Sequence, residues 1–282
     1  MKNKQLIPLL LLLIMIVSCE RTNTTNKEEH PFHKRENTTS TNMSMNYYGL
    51  PSPMEIAYAI STTGAEYDQE LLHNPSMSSR YTTNRAMALN LGIYGADLCY
   101  SIYFDQQQVA MQYMGCVKSL ASDLDISNIL SDSTLRKIED NIQNKEMLKK
   151  YVSETFFHSD AFLKESNRSE TASIMMLGMW IESLYISTKL TKGDVKNNEA
   201  LSQRIMEQGL VLDNIKGLLK KYSSSDIDSI RVGIETLRNN YLEAGYKSDD
   251  SLIVKITIPD YDKFNVICQT VDSLRNEYID LF

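Results

Sequence analysis

The chain alternates between long stretches with apolar residues three and four apart and short polar breaks, a spacing that predicts helices almost throughout. Pro51-Ser52-Pro53 marks a turn, and Pro53 suits the first position of a helix running through Ile56 and Ile60 to Gly64. A second helix is predicted from Thr82 or Thr83 to about Phe104. Asp105, with Gln108 three residues on, reads as a capping box that opens a helix from Gln106 to about Leu124. Further helices are predicted at Asp132 to Asn141, Lys145 to Lys164, Glu170 to Leu190, Glu199 to Tyr222, Asp226 to Ala244 and Tyr261 to Leu281. The exception is Ser251 to Pro259, a β-branched run ending in proline that predicts a short extended segment laid on the helices.

One helical stretch, NLGIYGADLCYSIYF (Asn90 to Phe104), has a variant 86 residues later in MLGMWIESLYISTKL, where Leu177, Gly178, Trp180 and Leu184 replace Leu91, Gly92, Tyr94 and Leu98. The expected fold is therefore all-α, an antiparallel bundle built from two related helical hairpins plus additional helices. Helices from Thr82 and Gln106 form one hairpin, and those from Glu170 and Glu199 form the other. The leucine-glycine pair resembles tetratricopeptide repeats only superficially, because that unit is about 34 residues long.

On a helical wheel of about 100° per residue, Asn90, Tyr94, Asp97 and Ser101 share one narrow stripe. The rest of the helix is apolar nearly all round, which places it in the middle of a bundle. Gly92 and Gly95 each cost about 1 kcal/mol of helix propensity relative to Ala, a cost that close backbone packing explains. Asp97 needs a partner, since an ionised carboxylate is expensive to bury alone. Two placements remain open. Either the stripe faces solvent or a tyrosine hydroxyl on a neighbouring helix, or Asn90, Tyr94, Asp97 and Ser101 line a cleft between the hairpins, with Trp180 and Glu182 opposite.

The first residues change the picture. Lys2 and Lys4 precede an apolar run from Leu6 to Val17, too short to span a bilayer and laid out like a secretory signal. Its end, Ile16-Val17-Ser18-Cys19, resembles the lipobox of bacterial lipoproteins, with Val17 standing where Ala or Ser is commoner. The resemblance implies cleavage before Cys19, acylation of that cysteine, and attachment to a membrane through the acyl chains. Glu20-Arg21 does not resemble the aspartate-type retention signal of such proteins, which implies the outer membrane, on its periplasmic face or at the cell surface. The expected organisation is a signal peptide over 1–18, a lipidated cysteine and tether over 19–46, and a helical domain over 47–282. The tether, rich in Asn, Thr, Glu and Lys, has too little apolar area to offset its ordering entropy.

Without Lys2 and Lys4, 27 basic residues face 36 acidic ones, which argues against nucleic acid as a partner. Cys99, Cys116 and Cys268 read as small apolar fillers. The hairpin places Cys99 and Cys116 at depths of roughly 8 and 15 Å below their turn, too far apart for a disulfide. Catalytic patterns are scarce: there is no HExxH, GxSxG, Walker-type loop or paired CxxC. His30 and His33 in the tether are weak ligands without a scaffold. Glu154 and His158 read as a surface pair, and Met175, Met176 and Met179 as adaptable core filler. No metal or cofactor is expected. The expected function is that of a non-enzymatic, lipid-anchored envelope component that binds a protein partner or serves an assembly. The alternative is a protein that holds an apolar or aromatic small molecule between the hairpins.

Overall fold

Two helices that are apolar on every side have to be surrounded, and the architecture follows from that requirement. The computed structural model describes residues 51–127, 131–141, 143–247 and 261–281. The signal segment, Cys19, the tether and the run Ser251 to Pro259 lie outside the described residues. Nine α-helices are described: α1 (Pro53–Ser61), α2 (Asn84–Tyr103), α3 (Gln107–Asp123), α4 (Asp132–Asp140), α5 (Lys145–Glu165), α6 (Ser169–Leu190), α7 (Glu199–Leu219), α8 (Ser225–Glu243) and α9 (Tyr261–Ile279). No strand occurs among the described residues, so the fold is all-α. All nine helices belong to one compact unit.

In α2 every residue from Ala86 to Ile102 is buried, and α6 is buried almost as completely from Ala172 to Leu190. Their mutual contact is the most extensive among the described helices, larger than that of α2 with α3 or of α6 with α7, the pairs expected as hairpins. Glycine makes it possible. A Cβ on Gly92 would stand 2.0 Å from the Met175 carbonyl oxygen, and a Cβ on Gly178 would stand 2.0 Å from the Leu89 carbonyl oxygen. The contact is reciprocal, since Leu89 and Met175 are separated by the same 86 residues as Gly92 and Gly178. Around this pair pack α1, α5 and α9, which touch both helices, with α3 against α2 and α7 against α6.

Local chemistry sets the helix ends. Ser52 and Glu55 form a capping box on α1, with the Ser52 amide donating to the Glu55 carboxylate at 2.7 Å and Pro53 in the first turn. Thr83 caps α2 through its side chain, which accepts from the Ala86 amide. The helix at Pro53 ends at Ser61 rather than Gly64, which lies beyond it at φ 80°.

The capping box expected at Asp105 is not formed. Asp105 has φ 59°, and the Gln106 amide donates to the Ser101 carbonyl at 2.9 Å, so Asp105 is the left-handed residue of a Schellman motif that ends α2. The same motif closes α3 at Asp125, α5 at Asn167 and α8 at Gly245, through amide bonds from Ile126, Arg168 and Tyr246. Asp and Asn tolerate this conformation better than most residues, which is why an Asp flanked by helices on both sides serves as a stop here and not as a start. The Asp105 carboxylate instead takes the Lys145 ammonium at 2.9 Å. The helix expected to reach Tyr222 ends at Leu219, and two short 3-10 turns, Gln69–Leu71 and Pro75–Arg80, occupy the connection between α1 and α2.

Candidate functional site

The polar stripe of α2 meets neither solvent nor an open cleft. Asn90, Tyr94, Asp97 and Ser101 are each 0% exposed, as is Glu182, and Trp180 is 2% exposed. The space expected to be a cleft is filled by the 62–83 connection on one side and by α9 on the other, and the stripe fastens both in place.

The connection is held through its backbone. The Asp97 Oδ2 accepts from the His73 amide at 3.1 Å, the Tyr113 hydroxyl donates to the His73 carbonyl at 2.9 Å, and the Tyr94 hydroxyl donates to the Asn74 carbonyl at 2.9 Å. Nearer its start, the Asp68 amide donates to the Tyr100 hydroxyl at 3.0 Å. At Leu72 and His73 the connection dips into the core outside any helix, where its amides and carbonyls have no ladder to satisfy them, so side chains of α2 and α3 supply the partners. The His73 ring stacks on Tyr94 with centroids 4.9 Å apart, and its Nε2 lies 2.7 Å from the Tyr81 hydroxyl. That hydroxyl also lies 3.1 Å from the Ile279 carbonyl at the end of α9.

The second fastening is ionic. Glu182 on α6 takes a two-pronged bond from Arg275 on α9, Nε to Oε2 at 2.9 Å and Nη2 to Oε1 at 3.0 Å. The guanidinium is 4.5 Å from the centre of the Tyr185 ring, and the Arg275 residue is only 7% exposed. Asn90 adds a bond to α9 by donating from Nδ2 to the Tyr278 carbonyl at 3.1 Å. Ser101 turns back on its own helix, donating to the Asp97 carbonyl. Trp180 faces elsewhere, donating from Nε1 to Gln208 Oε1 on α7 at 3.0 Å. Of the six stripe and facing residues, Asp97 is the one that neighbours both Tyr94 and Glu182, whereas Trp180 bonds to α7.

Electrostatics follow from burial. Burial holds the Asp97 carboxyl well above the usual carboxylate range, and the Glu182 charge raises it further, against the opposing pull of Arg275 and the His73 amide. Burial also raises Glu182, with the Arg275 charge and its hydrogen bonds offsetting part of the effect. His73 is pushed down to about 3 by burial and by Arg275, so it is neutral across ordinary pH. The arrangement can hold a proton and bind helices together, but its groups have no surface from which to reach a substrate.

Sequence reasoning missed His73, Tyr81, Tyr113 and Arg275. Arg275 left a faint signal, an arginine beside the apolar stripe Phe264, Ile267, Val271, Leu274 and Tyr278 of α9. His73 acts mainly through its backbone, which no side-chain pattern reveals. Elsewhere, Cys99, Cys116 and Cys268 are free thiols, and Met175, Met176 and Met179 are buried. Glu154 lies 4.0 Å from Lys150 on the surface of α5. Among the described residues no group of three metal-ligating side chains comes together, and no helix is long and apolar enough to cross a membrane.

The class these observations define is an all-α protein organised around two mutually buried glycine-bearing helices. The chain matches no family model, no curated protein and no solved structure.

Proposed function

We propose that this chain is a non-enzymatic, lipid-anchored component of a bacterial cell envelope that binds a protein partner or serves an assembly. The observation that carries the reading is the sealing of Asp97, Glu182, His73 and Arg275, whose hydrogen bonds hold helices and the 62–83 connection in place. Residues used in this way support a scaffold with its function on the outside. The anchoring part rests on Ile16-Val17-Ser18-Cys19, with the outer membrane as destination and the acyl chains as the contact with lipid.

One observation favours the alternative, a small-molecule binding protein, though at a different place from the expected cleft. A groove of about 220 Å³ lies between the C-terminal end of α6 and the N-terminal half of α9, bordered by Lys192, Tyr261, Phe264 and Gln269.

The anchoring and partner parts are tested together. Cys19→Ala should abolish labelling by a palmitate analogue and release the chain from the membrane fraction, and crosslinking in intact envelopes should trap the wild-type chain with one protein at fixed stoichiometry. Label retained by the variant would refute the anchor. A wild-type chain that stays monomeric under crosslinking but is protected thermally by small apolar compounds would favour the alternative.

A further inference from the structure

Asp97 and Glu182 are two carboxyls at one helix junction, both 0% exposed, with a single buried guanidinium between them and neutrality. We propose that the two carboxyls share one proton, and that this proton makes the junction of α2, α6 and α9 a pH-sensitive latch, closed in acid and loosened as the solution turns alkaline. Nothing in this inference depends on the anchoring or partner proposed above.

The bonding count places the proton. Both Glu182 oxygens are taken by Arg275, which keeps that side chain a carboxylate. Asp97 Oδ2 has the His73 amide, but Oδ1 is buried with no donor directed at it. A carboxylate oxygen in that position would be an orphan acceptor carrying charge, whereas a protonated Asp97 has a hydroxyl to donate, and Glu182 is the side chain that meets it. Burial and the Glu182 charge act on Asp97 in the same direction, towards holding the proton.

The charge count agrees. With both acids ionised the junction carries one uncompensated negative charge, and with one proton it is neutral. No neighbour can take up the difference. On the 62–83 connection, His73 is neutral above about 3, and burial raises Tyr67 and Tyr81, which keeps both hydroxyls protonated. On α2 and α3, burial likewise raises Tyr94 and Cys99, and Tyr113 and Cys116. Tyr185 on α6 and Tyr278 on α9 are raised too, leaving Arg275 as the only cation against the pair among the described residues. Lys189 is paired with Asp272 at 3.0 Å beyond Tyr185, and α5 presents Phe156 to this part of α2. The α1 groups Glu55 and Tyr58 act on Tyr103, further along α2, while Asp68, Arg80 and Asp280 act on Tyr67 and Tyr81.

The sign of the pH dependence follows. In the unfolded chain Asp97 has its ordinary value of 3.8 and is ionised above about pH 4, while the folded chain keeps the proton. The folded state then binds more protons, so raising the pH lowers stability, by up to about tenfold in the folding equilibrium per pH unit, until the folded group itself ionises. Carboxylates whose charged form is paired or hydrogen-bonded in the folded state act in the opposite sense, which makes the effect easy to separate.

Asp97→Asn is the test, because an amide reproduces the protonated acid: its nitrogen donates to Glu182 while its oxygen accepts from the His73 amide. Urea unfolding of the full chain between pH 5 and pH 9 is expected to give similar stabilities for the two proteins at the acid end. Towards alkali the wild type should fall progressively behind, by at least about tenfold in the folding equilibrium over the range. Parallel pH profiles would overturn the proposal. Should the variant not fold, the wild type alone decides: the side-chain carboxyl ¹³C resonance of Asp97 at pH 6 is expected at the protonated position, and a carboxylate shift there would overturn the shared proton.

Discussion

Gly178→Ala is the most direct probe of the architecture. Its Cβ would stand 2.0 Å from the Leu89 carbonyl oxygen and 2.8 Å from the carbonyl carbon, both backbone atoms in the middle of a buried helix. Carbon and oxygen approach to about 3.3 Å at closest, so α2 and α6 would have to part by roughly 1 Å or more at their crossing. Overpacking of a core costs about 1–3 kcal/mol, and the upper end applies because a backbone carbonyl cannot rotate out of the way as a side chain does. Against this stands a gain of about 1 kcal/mol in helix propensity. The net loss is expected to be about 2 kcal/mol, or about 4–8 °C in Tm for a domain of this size. Gly115 and Gly217 supply the internal control, since both are helical and a Cβ on either meets nothing within 4 Å. Alanine at either should stabilise by about 0.5–1 kcal/mol. Urea titration followed by circular dichroism at 222 nm (roughly the helical minimum) measures all three, with the midpoint moving and the slope unchanged. If Gly178→Ala behaves like Gly115→Ala, the close crossing of α2 and α6 is refuted. Combining Gly92→Ala with Gly178→Ala should cost less than the sum, because the first substitution already separates the helices for the second.

Arg275→Ala should destabilise by about 3–5 kcal/mol, since it leaves Glu182 buried without its cation; a loss below about 1 kcal/mol in chemical unfolding would mean that the pair is not sealed. Ser52→Ala should cost about 1 kcal/mol by breaking the capping box of α1, read as a shift in the unfolding midpoint, and no shift would place the start of that helix elsewhere.

Helix existence and type were legible in the sequence because they depend on spacing within one segment. The apolar positions of α2 and α6 recur on all sides, and that alone identifies both as central. The glycines were legible as a sign of close approach, because nothing else offsets their loss of helix propensity. Asp105 was misread by the same local reasoning. An Asp between two helices suits the end of the first as well as the start of the second, and the choice depended on whether the Gln106 amide could reach back to Ser101.

Tertiary structure decided which backbone each glycine meets and what the polar stripe does. Glu182 and Arg275 are 93 residues apart, Asn90 and Tyr278 are 188 apart, and neither pair shares a periodicity that could announce it. The state of Asp97 is likewise a property of the assembled core. On an isolated helix it is an ordinary carboxylate, and only the placement of a second acid, one arginine and one backbone amide around it, with water excluded, determines whether it keeps its proton.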